Sequence, residues 1–245
     1  MLTTDFIIQD QENIALESVF LSDENKNTLQ QLVKEFRYSP QLATFGLHAN
    51  HKILFYGASG CGKTTTAKAI AQLLKKPIFI LNLSTLINSR IGETSKNLKA
   101  VFDKAQREKA VLFLDEFDQI GKSRSDDEKD VGEMRRLVNT ILQLFDYFPK
   151  DCLLICATNH IDFIDFALVR RFQLKLEFDM PDDAELNRYY DSLLSTFPEK
   201  YHNICRKYAV SYAEAKDYTH TLLKKKIIQD IENEQVNNNF TNAKN

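Results

Sequence analysis

Five short, nearly uninterrupted apolar stretches punctuate the middle of the chain: Lys52–Tyr56, Pro77–Leu81, Ala110–Leu114, Cys152–Ala157 and Gln173–Phe178. Runs without polar alternation are what strands covered on both faces require. Between them lie segments of helical character, such as Thr64–Lys75, rich in Ala, Leu and Lys. Strand alternating with helix predicts an α/β fold with a five-stranded parallel sheet sandwiched by helices. Ahead of the first stretch, Leu29, Leu32, Val33 and Phe36 recur at helical spacing, predicting an amphipathic helix over Asp23–Phe36 with Ser22 as its N-cap and Pro40 beyond its end. At the N-terminus Phe6, Ile7 and Ile8 stand together and read equally as a docking peptide or a packed strand. After Met180-Pro181 the pattern is helical only, through about Glu234, and the Asn-rich remainder has little to bury and is expected to be mobile. Four regions follow: an N-terminal segment with its helix (1–50), an α/β core (51–180), a small all-helical domain (181–234) and a tail (235–245).

Composition changes this picture little, but it excludes some functions. The 32 Lys+Arg against 34 Asp+Glu leave a net charge of -2, without the basic excess of a nucleic-acid binder. No apolar run approaches the ~20 residues that cross a bilayer. The start, MLTTDFIIQDQEN, carries acids where a signal peptide carries bases, so no export is expected. The four cysteines do not pair into a zinc-binding spacing, and Cys152 and Cys156 share one strand face as buried thiols. A cytoplasmic protein without a membrane span fits these features.

The chemistry concentrates where predicted strands end. Residues 57–64 read Gly-Ala-Ser-Gly-Cys-Gly-Lys-Thr, a phosphate-binding loop G-x-x-x-x-G-K-[ST] without a mismatch. Three of the chain's seven glycines fall inside it. Glycine is needed where backbone N–H groups converge on an anion with no Cβ in the way. With a strand before it and a helix after it, the loop points to a nucleoside triphosphate with Mg²⁺. Val111–Leu114 is an apolar strand that ends in Asp115 and Glu116. At the carboxyl end of a buried strand, Asp115 is placed to orient Mg²⁺ and Glu116 to polarise a water for attack on the γ-phosphate. The fourth stretch ends in Thr158-Asn159, where Asn159 can hold the attacking water with Glu116, and two arginines, Arg170 and Arg171, precede the fifth.

Taken together, these stretches resemble the AAA family of ATPases over residues 19–230. Residues 57–64 resemble its Walker A motif, 111–116 its Walker B motif and Asn159 its sensor-1, while Cys152–Arg171 resembles its second region of homology, which ends in arginine fingers. The resemblance implies a P-loop ATPase core, a linker helix before it and a helical lid after it. It implies that Gly57, Ala58, Ser59, Gly60, Cys61, Gly62, Lys63, Thr64, Thr65 and Asp115 bind ATP, with Lys63 on the β/γ-phosphates and Thr64 with Asp115 on Mg²⁺. Glu116 is then the catalytic base and Asn159 the γ-phosphate sensor. Arg170 and Arg171 reach the neighbouring subunit's nucleotide, Arg171 being the one that touches the γ-phosphate, which requires a homo-oligomeric ring, typically a hexamer.

Arg90, Ile91 and Gly92 stand where relatives carry pore loop 1, with Arg90 in place of the aromatic residue that grips a threaded polypeptide. Ser211–Glu214 aligns with the sensor-2 region but lacks its arginine, so the lid is expected to clamp adenine by packing, with Leu16–Asp23 lining the same pocket. The stretches Asp115–Asp118, Gly132–Arg136 and Asn139–Gln143 are similar to small bacterial and phage AAA proteins, often encoded beside a subtilisin-like serine protease and associated with anti-phage defence. The implied function is an ATP-hydrolysing ring that remodels or translocates a protein substrate or partner, a subtilisin-like serine protease being one partner that the resemblance suggests. The alternative is a regulatory scaffold whose ATP-dependent assembly licenses an effector without threading. Nucleic acid is not an expected partner.

Overall fold

A computed structural model describes residues 7–9, 12–87, 94–120 and 128–242. Five strands run parallel: β2 (Lys52–Gly57), β3 (Ile78–Asn82), β4 (Val111–Asp115), β5 (Leu153–Thr158) and β6 (Leu174–Phe178). Each coincides with an apolar stretch of the sequence. A sixth, β1 (Ile8–Gln9), joins the edge antiparallel to β3, with Ile8 opposite Ile80, giving the order β1-β3-β4-β5-β2-β6. Of the segment Phe6-Ile7-Ile8, Phe6 lies outside the described residues, Ile7 packs against the core, and Ile8 opens the strand with its side chain exposed.

The central strands are dry. Ile53, Leu54 and Phe55 of β2, Val111–Leu114 of β4 and Leu153–Ala157 of β5 are fully buried. At ~1.5–3 kcal/mol per large apolar side chain removed from water, this layer is the main source of stability. Helix α5 (Thr94–Arg107) covers it with Leu98, Val101, Phe102 and Ala105, and α6 (Glu128–Asp146) with Leu137, Ile141 and Phe145. The rings of Phe117, Phe145 and Phe172 close into a cluster, Phe117 stacking on Phe145 at 5.8 Å and Phe172 meeting both edge-on. Helix α1 (Asp23–Arg37) starts where expected, with the Asn25 N–H donating to Ser22 Oγ, and it buries Leu29 and Leu32. Asn25 Nδ2 donates to the Glu177 carbonyl at 2.6 Å, fixing the helix to the end of β6.

Ser59–Cys61 and the chain from Asp179 onward form a second compact unit. Helix α8 (Asp183–Leu194) opens with a capping box between Asp182 and Glu185. It packs Leu186 and Tyr190 with Ala215 of the long helix α9 (Tyr212–Asn242), and Leu194 packs with Tyr201 and Leu223. Helix α9 runs through Asn242, past the point where the composition predicted a mobile tail. A helix already nucleated by packing extends residue by residue at little further cost, even through weak helix formers. No helix among the described residues is long and apolar enough to cross a membrane.

Candidate ATP site

The site grows from the ends of three neighbouring strands. Where β2 ends, Gly57 adopts φ +122°, and a Cβ there would lie 2.4 Å from the Phe178 carbonyl oxygen, so only glycine fits. That same oxygen accepts the Ala58 N–H at 2.9 Å. Gly62, left-handed at φ 97°, caps the start of α3 (Lys63–Leu73), whose first-turn N–H groups form an anion-seeking helix end. Gly60 and Cys61 belong to the second unit, where Gly60 accepts the Ala213 N–H at 3.1 Å. Ser59 and Thr65 are exposed.

Lys63 is buried, and its ammonium donates to the Gly57 and Ala58 carbonyls at 2.9 and 2.8 Å and to Asn159 Oδ1 at 2.8 Å. The structure thus brings Lys63 and Asn159 together across 96 residues of sequence. Thr64 Oγ1 donates to Asp115 Oδ2 at 3.5 Å, and Asp115 Oδ1 accepts the Glu116 N–H at 2.9 Å. Burial raises the Asp115 carboxyl above its ordinary range, and the neighbouring Glu116 charge adds to the rise. Glu116 sits at φ 54°, a left-handed conformation that an L side chain holds only under constraint from its surroundings.

Behind these residues lies a buried polar link that the sequence did not reveal. Thr158 Oγ1 donates to Asp118 Oδ1 at 3.0 Å and accepts the His160 N–H at 2.9 Å. It ties the turn after Glu116 to the turn that carries Asn159. Both side chains are almost wholly buried.

The two arginines differ. Both follow the one-turn helix α7 (Phe166–Val169), which Asp165 caps by accepting the Ala167 N–H at 2.7 Å. Arg171 grips Asp146 with two bonds, Nε to Oδ1 at 2.7 Å and Nη2 to Oδ2 at 3.0 Å, and Nη1 donates to the Ala167 carbonyl. This pairing holds the Asp146 carboxyl below its usual range. Arg170 is exposed, and its side chain makes no hydrogen bond or ion pair among the described residues. Arg90, Ile91 and Gly92 lie outside the described residues.

A lysine on a glycine loop, a hydroxyl beside a carboxylate, and an adjacent glutamate are the parts of a phosphoryl-transfer site. The family model for the ATPase family associated with various cellular activities (AAA) matches residues 53–180, more than half of the chain. The chain belongs to the AAA family. It is 40% identical over 171 residues to an uncharacterized AAA family ATPase, y4kL, of Sinorhizobium fredii, covering 70% of this chain and 52% of that protein. It is 31% identical to a putative 26S proteasome regulatory subunit homolog of Methanothermobacter thermautotrophicus, covering 62% of this chain and 41% of that one. The peroxisomal ATPase PEX6 of Saccharomyces cerevisiae is 36% identical over 66% of this chain and 16% of its own length. This AAA chain therefore spans about half, or less, of the curated relatives it matches. Its fold is that of the FIGL-1 AAA domain, at a TM-score of 0.65 and 24% identity over 81% of this chain and 67% of that one.

Proposed function

We propose that this AAA chain binds and hydrolyses ATP with Mg²⁺ and works as a cytoplasmic homo-oligomeric ring, hexameric in its simplest form, that remodels a protein substrate or partner. Residues 51–180 serve as the ATPase core, 1–50 as the linker segment and 181–234 as the lid. The observation that carries the reading is the contact of Lys63 with Asn159 beside the Thr64–Asp115 pair, at the carboxyl ends of parallel strands. The hydroxyl of Thr64 and the carboxylate of Asp115 are hard oxygen donors within 3.5 Å of each other, a set suited to Mg²⁺ shared with phosphate oxygens. Mg²⁺ bound there supplies charge neutralisation for the transferred phosphoryl group. Lys63 holds the β/γ-phosphates by exchanging its present carbonyl and amide partners for phosphate oxygens. Glu116 takes the proton of the attacking water, Asn159 orients that water, and Arg170 comes from a neighbouring copy. The names of two relatives, a proteasome regulatory subunit homolog and a peroxisomal ATPase, favour a protein client. A subtilisin-like serine protease in bacterial anti-phage defence is the first partner to try.

The test is a Glu116→Gln protein. Bound nucleotide, phosphate release and mass in solution are measured with and without Mg-ATP. The expected result is retained ATP, turnover reduced by about 10²–10⁴-fold, and a shift to a ring-sized species. Unchanged turnover would remove Glu116 as the base. A monomer that stays monomeric with ATP bound would remove self-assembly.

A further inference from the structure

Building on the trans role of Arg170 just proposed, we infer that Arg171 does not share that role. It is a positioning residue, bonded inside its own chain to Asp146 and Ala167 so that Arg170 alone is presented to a neighbouring copy. Helix α7 is a single turn of four residues. So short a helix does not hold its shape unaided; the Arg170, Arg171 and Phe172 N–H groups reach the Phe166, Leu168 and Val169 carbonyls, and no described backbone N–H reaches that of Ala167. Arg171 supplies what is missing. Its Nη1 caps the Ala167 carbonyl at 2.7 Å, while Nε and Nη2 take both oxygens of Asp146, the last residue of α6. A planar guanidinium that makes three directed bonds fixes both position and orientation.

The next residue adds a second anchor. The Phe172 ring packs edge-on against Phe117 at 5.9 Å and Phe145 at 5.4 Å, and these neighbour Glu116 and Asp146 in sequence. On the other side, Asp165 fixes the start of α7. Arg170 is thus an exposed side chain on a backbone clamped from both directions. For Arg171 to touch a neighbour's phosphate it would have to leave a two-pronged carboxylate and strip the Ala167 carbonyl of its donor. Arg170 has no such bonds to break.

The test compares kcat and KM for ATP, at concentrations where each protein is assembled, for Arg170→Ala, Arg171→Ala, Asp146→Asn, the double Arg171→Ala/Asp146→Asn and the exchange Arg171→Asp/Asp146→Arg. Arg170→Ala should lose about 10³-fold or more in kcat. Arg171→Ala and Asp146→Asn should each lose about ten- to a hundredfold in kcat, the scale of a misplaced catalytic group, with KM little changed. The double variant should be no worse than either single one, and the exchange should recover most of the loss. A pair that serves only to hold the fold would lower the melting temperature without this selective fall in kcat, and that result would overturn the inference. So would wild-type turnover in Asp146→Asn beside an Arg171→Ala as inactive as Arg170→Ala, because Arg171 would then act directly. Wild-type turnover in Arg170→Ala would overturn the trans reading itself, and the inference with it.

Discussion

Two polar centres stand at opposite ends of strand β2, one around Lys63 past its last residue and one at α7 near Lys52, its first, and they are built differently. Around Lys63 the groups close on one another: its ammonium is held by two carbonyls and Asn159, Thr64 by Asp115, and Thr158 by Asp118. At α7 the closure is partial, with Arg171 bonded to Asp146 while Arg170 carries a charge into solvent without a bond. A charged side chain without a partner in its own chain is usually solvated and nothing more. On the reading proposed above, it gains a second meaning as a cation for the charge that develops in a neighbouring copy's phosphoryl transfer. In the proposed ring, the comparison separates what one chain supplies from what a second copy would bring.

The largest effect should come from the open centre. Arg170→Ala should lower ATP turnover by about 10³-fold or more while ATP binding to its own chain stays intact, as read by nucleotide titration beside phosphate release. Loss of binding would place Arg170 within its own site and erase the contrast. The closed centre should respond through stability. Asp118→Ala leaves the Thr158 hydroxyl without its acceptor in a dry setting and should cost about 1–3 kcal/mol in urea unfolding. An unfolding midpoint equal to wild type would show that this link does not brace the Asn159 turn.

The smallest effect is one of pH. Burial, helped by the nearby Lys52 and Lys150 charges, lowers the His51 pKa to about 4 at the start of β2. The unfolded chain therefore takes the proton first, so the native state loses stability as pH falls from about 6.5 toward about 4, by on the order of 1 kcal/mol over the first unit. His51→Asn should flatten the slope of melting temperature against pH in that window. An unchanged slope would assign it to other groups.

How far the sequence reached follows from where each partner lies. Strands β2 to β6 were legible because dry strands are apolar without interruption, and their ends fell within a residue or so of the apolar stretches. The strand β1 was legible only as one of two readings, since two residues carry no period. Its pairing with β3 is set by a partner far along the chain. The phosphate loop was legible because its chemistry is local: glycines where φ is positive, then the lysine. Lys63 and Asn159 were assigned to one site through family spacing, and the structure brings them into contact. Asp118 and Asp146 were not singled out. Their partners lie 40 and 25 residues away, and no local pattern marks such a pair. Hence the sequence reading gave Arg171 the γ-phosphate contact, whereas the bonds that set it apart from Arg170 exist only once α6 is folded beside them.

The central claim is that each site is completed by an arginine from another copy. The direct measurement is complementation, in which Glu116→Gln protein is mixed with Arg170→Ala protein and phosphate release is followed with Mg-ATP. The first contributes an intact arginine and the second an intact base, so the account predicts turnover in the mixture well above the sum of the two alone. A mixture that co-assembles yet releases no more phosphate than its separate components would contradict it.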